Sequence, residues 1–417
     1  MMKSSMGYHT FSLFQRLSMD DEAWLDSDFH SYMLMNDQMD EYNPKNKNKQ
    51  TIGTLYFYKN STGIKWLVLD RYVGNGFRIY GVIATITPMV MLNKDYIGIA
   101  DESHIQKVKS IFNAEASKIS PILGDFDSYS SSRFDYCANF DLKELKITCT
   151  PEQMMILIKM GDIPTHFAER TKYSKTSHRP QKVFKNNLYL ESGSVVANCY
   201  GKHAHLESEE NHPCSNKEDA ENNIRFEMQH KNRKLNAMSK KHVEIATNLE
   251  PSIPKHPDEQ IQKLIEICED ILTRQKSRIP IETLLSNATS VQVIDKYFRK
   301  IVRSGDYYTL PKAKHMIESL DCQSRRKEKL IKALVNTNRH RGIYNTKSKL
   351  PDKELVEYKR MLIELDKLRI NPVTIPVDWN IEYIPNLLNA YYDKCAEVQS
   401  EELRREGEKR LLRNWSK

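Results

Sequence analysis

The sequence of 417 residues has few features of a membrane or secreted protein. Its longest apolar runs, such as 81–92 and 154–158, are shorter than the ~18 residues that a membrane span needs. Residues 1–14 lack the charged start and the unbroken apolar core of a signal peptide. We therefore expect a cytoplasmic protein with no membrane partner.

The cysteines also lack the spacings that indicate disulfides or zinc sites. The seven cysteines are odd in number and scattered, and no Cys-x-x-Cys pair occurs. This spacing indicates neither a disulfide framework nor a thiolate zinc site. We expect all of them to be reduced residues without a chemical role.

Charge is unevenly distributed along the chain. The net charge of +8 arises in residues 251–417, which carry 32 basic and 24 acidic residues. A basic region of this kind fits a nucleic-acid partner. The charge alone is a weak signal, because many cytosolic proteins are equally basic without such a partner.

Changes in composition predict three segments and an α+β fold. Residues 1–50 are rich in Met, Asp and Asn and are expected to form a flexible arm. Residues 51–250 contain alternating apolar and polar segments, typical of an antiparallel sheet, and two helical stretches at 101–113 and 151–160 that would flank it. The helix at 151–160 should cover the apolar face of that sheet. Residues 251–417 show a 3.6-residue apolar period and predict a separate all-α domain.

Three predicted strands share a pattern in which one face is apolar and the other polar. They span 133–141, 194–202 and 224–230, and alternate side chains of a strand point to opposite faces. If one sheet contains all three, its polar face gathers carboxylates, a tyrosine and cationic groups. The candidates are Asp135, Asp141, Tyr200, Lys202, Arg225 and Glu227.

This set of residues is suited to a metal ion and a phosphodiester. Asp135, Asp141 and Glu227 offer the oxygen ligands that Mg²⁺ or Mn²⁺ prefers. Tyr200 would attack phosphorus, and because a free phenol is a poor nucleophile at neutral pH, Lys202, Arg225 and the metal would activate it. The simpler alternative is that these side chains only solvate the exposed face of an antiparallel sheet.

Two further clusters are candidates for binding a nucleic-acid backbone. One is a basic loop interrupted by Tyr173 and Phe184, and the other begins a basic helix near residue 324. The residues concerned are Lys172, Lys175, Arg179, Lys182, Lys185, Arg325 and Arg326. A solvated basic loop explains the first cluster equally well.

The motifs on these strands resemble the replication initiation factor family, the rolling-circle initiators of plasmids, phages and integrative elements of Gram-positive bacteria. The resemblance covers about residues 50–245. Its three short motifs are Ser132-Arg133-Phe134-Asp135-Tyr136 with Asp141, Asn198-Cys199-Tyr200-Gly201-Lys202 with Glu207, and Asn223-Ile224-Arg225-Phe226-Glu227-Met228-Gln229. The helical half is similar to the C-terminal region of such initiators, for example at 306–310 and 370–376.

This resemblance implies a metal-dependent tyrosine nickase in residues 51–250. Such an enzyme cuts one strand at an origin, remains attached to the 5′ phosphate and leaves a 3′ hydroxyl for a polymerase. DNA is the implied partner, and a host helicase, a polymerase and a homodimer are left open as further ones. Asn139 departs from the family pattern, so Asp135 could pair with either Asp141 or Glu227 at the metal.

Several alternatives stay open at this point. Tyr136, Tyr173 and Tyr189 are other candidate nucleophiles. His203-Ala204-His205 resembles the metal-binding triplet of another nickase class, but we expect loop residues there. A mobilisation relaxase would use the same chemistry, and a DNA-binding regulator would use none.

Overall fold

A computed structural model of the chain describes residues 4–36, 39–45, 51–58, 62–74, 77–94, 97–169, 171–173, 180–182, 187–208, 217–247 and 279–415. These residues form a mixed α/β structure built on a large antiparallel sheet, with a helical C-terminal region. The predicted fold class is confirmed at that level. None of the described helices is long and apolar enough to cross a bilayer.

The main sheet has ten strands in the order β2-β3-β4-β5-β1-β6-β12-β11-β10-β7. These strands are β1 Ser5–Arg16, β2 Met39–Tyr42, β3 Gly53–Tyr58, β4 Ile64–Gly74, β5 Phe77–Ile86, β6 Ser130–Asp141, β7 Ala168–Glu169, β10 Leu188–Glu191, β11 Val195–Gly201 and β12 Asn223–Lys231. Two short pairs lie outside it, namely β8 Thr171–Tyr173 with β9 Pro180–Lys182, and β13 Tyr307–Tyr308 with β14 Tyr383–Ile384.

The helices are distributed along the whole chain. They are α1 Met19–Met35, α2 Pro88–Met91, α3 Ile105–Ile119, α4 Pro151–Lys159, α5 Lys202–Ser208, α6 Asn232–Thr247, α7 Ile281–Leu284, α8 Asn287–Ile301, α9 Leu310–Glu318, α10 Ser324–Arg339, α11 Ile343–Lys349, α12 Asp352–Lys367 and α13 Leu387–Trp415. Strands β4 and β5 pair antiparallel. Residues 251–278 of the predicted all-α domain lie outside the described residues.

The prediction of a flexible N-terminal arm is wrong, because β1 is a central strand of the sheet. It pairs with β5 on one side and β6 on the other. Tyr8, Phe11 and Leu13 are fully buried. A register shift between Tyr8 and Thr10 breaks the two-residue alternation, which is why the sequence pattern does not read as one strand.

Aromatic side chains fill the apolar face of the sheet. Phe11 of β1 stacks on Phe134 of β6 with ring centroids 5.4 Å apart. Phe112 of α3 meets Trp66 of β4 at 5.2 Å. Burying rings of this size is among the largest contributions that a side chain makes to a core. The register of β1 on β6 is therefore determined by the apolar face.

Helices from both halves of the chain cover that face. On α8, Phe298 packs against Phe140 and Phe226, with centroids 5.6 and 5.3 Å away. On α4, Met155 lies against Cys199 of β11, with Sδ and Sγ 3.7 Å apart. Helix α4 therefore covers the apolar face as predicted. The described helices beyond residue 278 share one core with the sheet and do not form the separate core expected of a domain.

His230 is a buried polar residue on the same apolar face. It is 1 % exposed, and its ring lies between those of Tyr136 and Tyr297, at 5.3 and 5.8 Å. Burial, together with the nearby Lys234 and Lys296, lowers its pKa to about 3. The folded protein therefore holds this imidazole neutral.

We predict that protonation of His230 destabilises the fold. Between the unfolded pKa of about 6.5 and the folded pKa of about 3, the unfolded chain binds more protons. Above pH 6.5 the imidazole is neutral in both states, and the free energy of unfolding is unaffected. As the pH is lowered from 6.5 towards 3, the free energy of unfolding falls by up to a few kcal/mol. Urea unfolding at pH 7 and pH 4.5 measures this loss. His230→Phe should remove most of it, and His166→Gln at an exposed site should not. Equal loss in wild type and His230→Phe contradicts the prediction.

Candidate active site

Three adjacent strands bring the predicted polar residues onto one face. In the register of β11, β12 and β6, Tyr200 lies opposite Arg225, which lies opposite Asn139. Directly opposed residues of antiparallel strands share a face and have Cβ atoms about 5 Å apart. The next row on the same face contains Asn198, Glu227 and, on β6, Cys137.

Tyr200 is joined directly to a carboxylate. Its phenol donates a hydrogen bond of 2.7 Å to Oε1 of Glu227. The residue as a whole is only 3 % exposed, whereas the Glu227 side chain is 20 % exposed. Solvent therefore reaches the site at the Glu227 carboxylate, while the Tyr200 ring lies below it.

Two side chains of α5 border the Tyr200 ring. Helix α5 begins at Lys202, directly after β11, so the predicted loop at His203–His205 is wrong. Lys202 is fully buried, and its ammonium lies 6.0 Å from the centre of the Tyr200 ring. The ring of His205 is 4.6 Å away. The sequence analysis expected His205 in a loop and did not place it beside Tyr200, because no local pattern marked the start of the helix at Lys202.

Arg225, like Lys202, is a fully buried charge of the site. Its side chain is 0 % exposed and donates through Nε to Oδ1 of Asn139 at 2.7 Å. Nη2 donates to the carbonyl oxygen of Ile97, and Nη1 lies 3.8 Å from Oε1 of Glu227. A buried charge is tolerated only where such partners surround it. Arg225 thus supplies positive charge beside Glu227 from below the surface.

The carbonyl that holds Arg225 belongs to a segment that crosses the polar face. Residues 97–100 lie against β1, where Tyr8 and Ala100 exchange two backbone hydrogen bonds of 2.9 and 3.1 Å. Gly7 makes this approach possible, because a Cβ there would lie 2.1 Å from the carbonyl oxygen of Ala100. The sequence analysis missed this segment, and its only local signal is the glycine.

Asp135 lies beside Glu227 and is held by an arginine. It pairs with Gln229, two residues from Glu227, which makes the two carboxylates diagonal neighbours about 7 Å apart. Arg133 donates to both oxygens of Asp135 at 2.9 and 2.5 Å. Burial raises the pKa of Asp135 above its ordinary value and the charge of Glu227 adds to the effect, while Arg133 opposes it.

Asp141 lies apart from these two carboxylates. It pairs with Asn223, four residues from Glu227 and so about 13 Å along the strand. Its Oδ1 accepts the backbone N–H of Glu144 at 2.8 Å, which stabilises the turn after β6. Of the three predicted ligands, the structure brings Asp135 and Glu227 together and leaves Asp141 at the end of the strand.

A second tyrosine occupies the polar face. Tyr189 of β10 lies opposite Asn198 and is half-buried. Tyr136 points to the apolar face, where burial raises the pKa of its hydroxyl. The side chain of Tyr173 is outside the described residues. Tyr189 is therefore the alternative nucleophile that the geometry retains.

Cys137 completes the row of Glu227 without adding charge. Its thiol is fully buried, and burial raises its pKa to about 12. It stays protonated at neutral pH and is no thiolate ligand. Among the residues that the structure describes, no group of three or more His, Cys, Asp or Glu side chains is arranged to hold a metal ion.

Within the described part of the chain, the predicted DNA-contacting residues fall on the β8–β9 pair and on helix α10. Lys172 and Lys182 belong to β8 and β9, while Lys175, Arg179 and Lys185 lie outside the described residues. Arg325 is exposed at the start of α10, and its neighbour Arg326 forms an ion pair with Glu364 of α12. An ion pair of this kind reduces the charge that Arg326 presents to a phosphate.

Comparison with family models, with curated proteins and with solved structures finds no match for this chain. The resemblance to rolling-circle initiators therefore stays a prediction from the motifs. The chemistry of the polar face has to be argued from its own geometry.

We predict that Arg225 stabilises the fold far more than the Tyr200 hydroxyl does. Arg225→Ala leaves Glu227, Asn139 and the Ile97 carbonyl without their buried cation and should cost about 3–5 kcal/mol of unfolding free energy. Tyr200→Phe removes one partly buried hydrogen bond and should cost about 1 kcal/mol. Chemical denaturation measures both. Similar losses for the two variants contradict the prediction.

Proposed function

We propose that the polar face cleaves one DNA strand, with Tyr200 as the nucleophile, in the first step of rolling-circle replication. The observation that carries this proposal is the hydrogen bond from the Tyr200 phenol to Glu227, beside the buried cations Lys202 and Arg225. A phenol ionises near pH 10, so a neighbouring base and positive charge are what it needs to react at neutral pH.

The reaction can be written with these groups. The phenol oxygen forms a bond to phosphorus, and its proton passes to the carboxylate of Glu227. The bond from phosphorus to the 3′ oxygen breaks, that oxygen takes a proton from a water molecule, and the proton held by Glu227 returns to the solvent and neutralises the hydroxide. The 5′ phosphate remains on Tyr200, and the free 3′ hydroxyl is available to a polymerase. Lys202 and Arg225 stabilise negative charge near the phenolate.

Asp135 and Glu227 would hold a divalent cation. Their diagonally placed carboxylates are the hard oxygen donors that Mg²⁺ and Mn²⁺ prefer, and Glu227 has Oε2 for the cation while Oε1 accepts the phenol's hydrogen bond. A bound cation would neutralise charge on the phosphate oxygens. Arg133 now occupies both oxygens of Asp135 and must yield one of them.

We predict that Mn²⁺ binding separates the three predicted ligands. Asp135→Asn and Glu227→Gln should each weaken binding about tenfold or more, since each removes a charged donor. Asp141→Asn should change the dissociation constant less than about twofold, because this carboxylate serves the turn at Glu144. Titration calorimetry, or electron paramagnetic resonance of free Mn²⁺, gives the constants without DNA. If Asp141→Asn weakens Mn²⁺ binding as much as the other two variants do, Asp141 is also a ligand of the cation.

The covalent intermediate identifies the nucleophile. Labelled single-stranded DNA from the gene's own neighbourhood, incubated with protein and Mn²⁺, should give a protein–DNA adduct on a denaturing gel. Tyr200→Phe should reduce the adduct at least about a thousandfold, because no other group takes over the bond. Tyr189→Phe tests the second tyrosine of the polar face, and Tyr42→Phe on the edge strand β2 is the matched control. An adduct that survives Tyr200→Phe but not Tyr189→Phe moves the nucleophile to β10.

A second candidate function is a DNA-binding protein without catalysis. The burial of Tyr200 and Arg225 favours it, because buried polar networks also serve only to fix a fold. In that case duplex DNA from the locus is bound, no strand is cut, and Tyr200→Phe leaves binding unchanged. The adduct experiment separates the two candidates.

A further inference from the structure

A cavity of about 540 Å³ lies on the side of the sheet opposite Tyr200. One wall is the end of α4 with residues 160–163, and the other is formed by the end of α10, the start of α11 and residues 374–376. Its size falls within the range of pockets for small ligands. Nothing in the proposed nicking chemistry uses it.

The two walls of this cavity are fixed to each other. The N–H of Ile343 donates to the carbonyl oxygen of Met160 at 2.9 Å, and Lys347 forms an ion pair with the buried Asp162 at 2.5 Å. Gly342 has a φ of +128°, and a Cβ there would lie 2.7 Å from the same carbonyl oxygen. The cavity is therefore preformed, so a ligand does not have to order it.

Apolar and aromatic surface faces into the cavity from both sides. Ile156 of α4 and Tyr344 of α11 both line it, and each is 47 % exposed although large and hydrophobic. Most other large hydrophobic side chains of the described residues are buried. A flat ring can pack against both, and stacking on a tyrosine is a common way to hold a nucleobase.

The polar lining combines hydrogen-bond donors and acceptors with the cationic side chain of Arg341. Arg341 is exposed at the cavity and has no ion pair within the described part of the chain. Asn338 and Asn345 donate through Nδ2 to Thr374 Oγ1 at 2.9 Å and to the Arg341 carbonyl at 3.2 Å, which leaves their amide oxygens to accept. Lys159 and Glu169 also line the cavity, with opposite charges.

We propose that this cavity binds a nucleobase together with its phosphate. Tyr344 and Ile156 hold the base by its faces, the amides of Asn338 and Asn345 meet its edge, and Arg341 pairs with the phosphate. Guanidinium suits phosphate by its fixed donor geometry, and amides suit base edges because both offer paired donors and acceptors. Either an unpaired base of single-stranded DNA or a free nucleotide supplies this chemistry. The proposal goes beyond strand cleavage and does not depend on Tyr200.

Binding of deoxynucleoside monophosphates to the full chain tests the proposal. Titration calorimetry should show binding of a monophosphate at least about tenfold tighter than that of ribose 5-phosphate, which has no base. Tyr344→Ala and Arg341→Ala should each weaken it about tenfold. Arg339→Ala, an exposed arginine of α10 outside the lining, and Tyr42→Ala are the matched controls and should change it less than about twofold.

The other outcomes are equally defined. Competition by a short single-stranded oligonucleotide indicates an unpaired base as the ligand, and absence of competition indicates a free nucleotide. If ribose 5-phosphate binds as tightly as the nucleotides, the cavity is only an anion site and the proposal is overturned. The proposal is also overturned if neither Tyr344→Ala nor Arg341→Ala weakens nucleotide binding. Repeating the titration with Tyr200→Phe should give the same constants, so failure of the nicking experiment and failure of this one are distinguishable.

Discussion

The burial of one guanidinium is the constraint on which the polar face depends. Arg225 cannot stay charged in the interior without partners, and those partners come from separate parts of the chain: Asn139 on β6, Glu227 on its own strand, and the carbonyl of Ile97. Satisfying this one side chain fixes how β6, β12 and the segment at 97–100 lie relative to one another. The carboxylate that accepts the Tyr200 hydrogen bond is positioned by the same requirement.

The opposite face of the sheet makes this arrangement rigid. Phe226 immediately follows Arg225 on β12 and points the other way, into the core, where it meets Phe298 of α8. The strand that presents the polar residues is thus held by aromatic packing from the C-terminal helices. Because side chains of a strand alternate, the same few residues build both the core and the site. A change in the register of β12 would disrupt both.

Two kinds of chemistry are separated by this sheet. On the polar face, the buried cations Lys202 and Arg225 lie beside a tyrosine that donates a hydrogen bond to a carboxylate. On the other side, a preformed cavity combines apolar surface with the exposed Arg341, which favours a flat, anionic ligand. The proposed strand cleavage would use the polar face, and the proposed base binding would use the cavity. Substitutions on one surface leave the residues of the other in place, so the two proposals can be tested separately.

The local alternation of the sequence determined which side chains of 133–141, 194–201 and 224–230 share a face, because a two-residue period depends only on the strand itself. It also indicated most helices, whose apolar period is equally local. Tertiary structure alone decided that Asp135 lies near Glu227 while Asp141 serves a turn, because this follows from the pairing register. Only the tertiary structure brings the carbonyl of Ile97 to Arg225, 128 positions away, through the close approach at Gly7. It also makes residues 5–16 a central strand although their alternation is interrupted. Such contacts join residues distant in sequence, and no local pattern contains the geometry that brings them together.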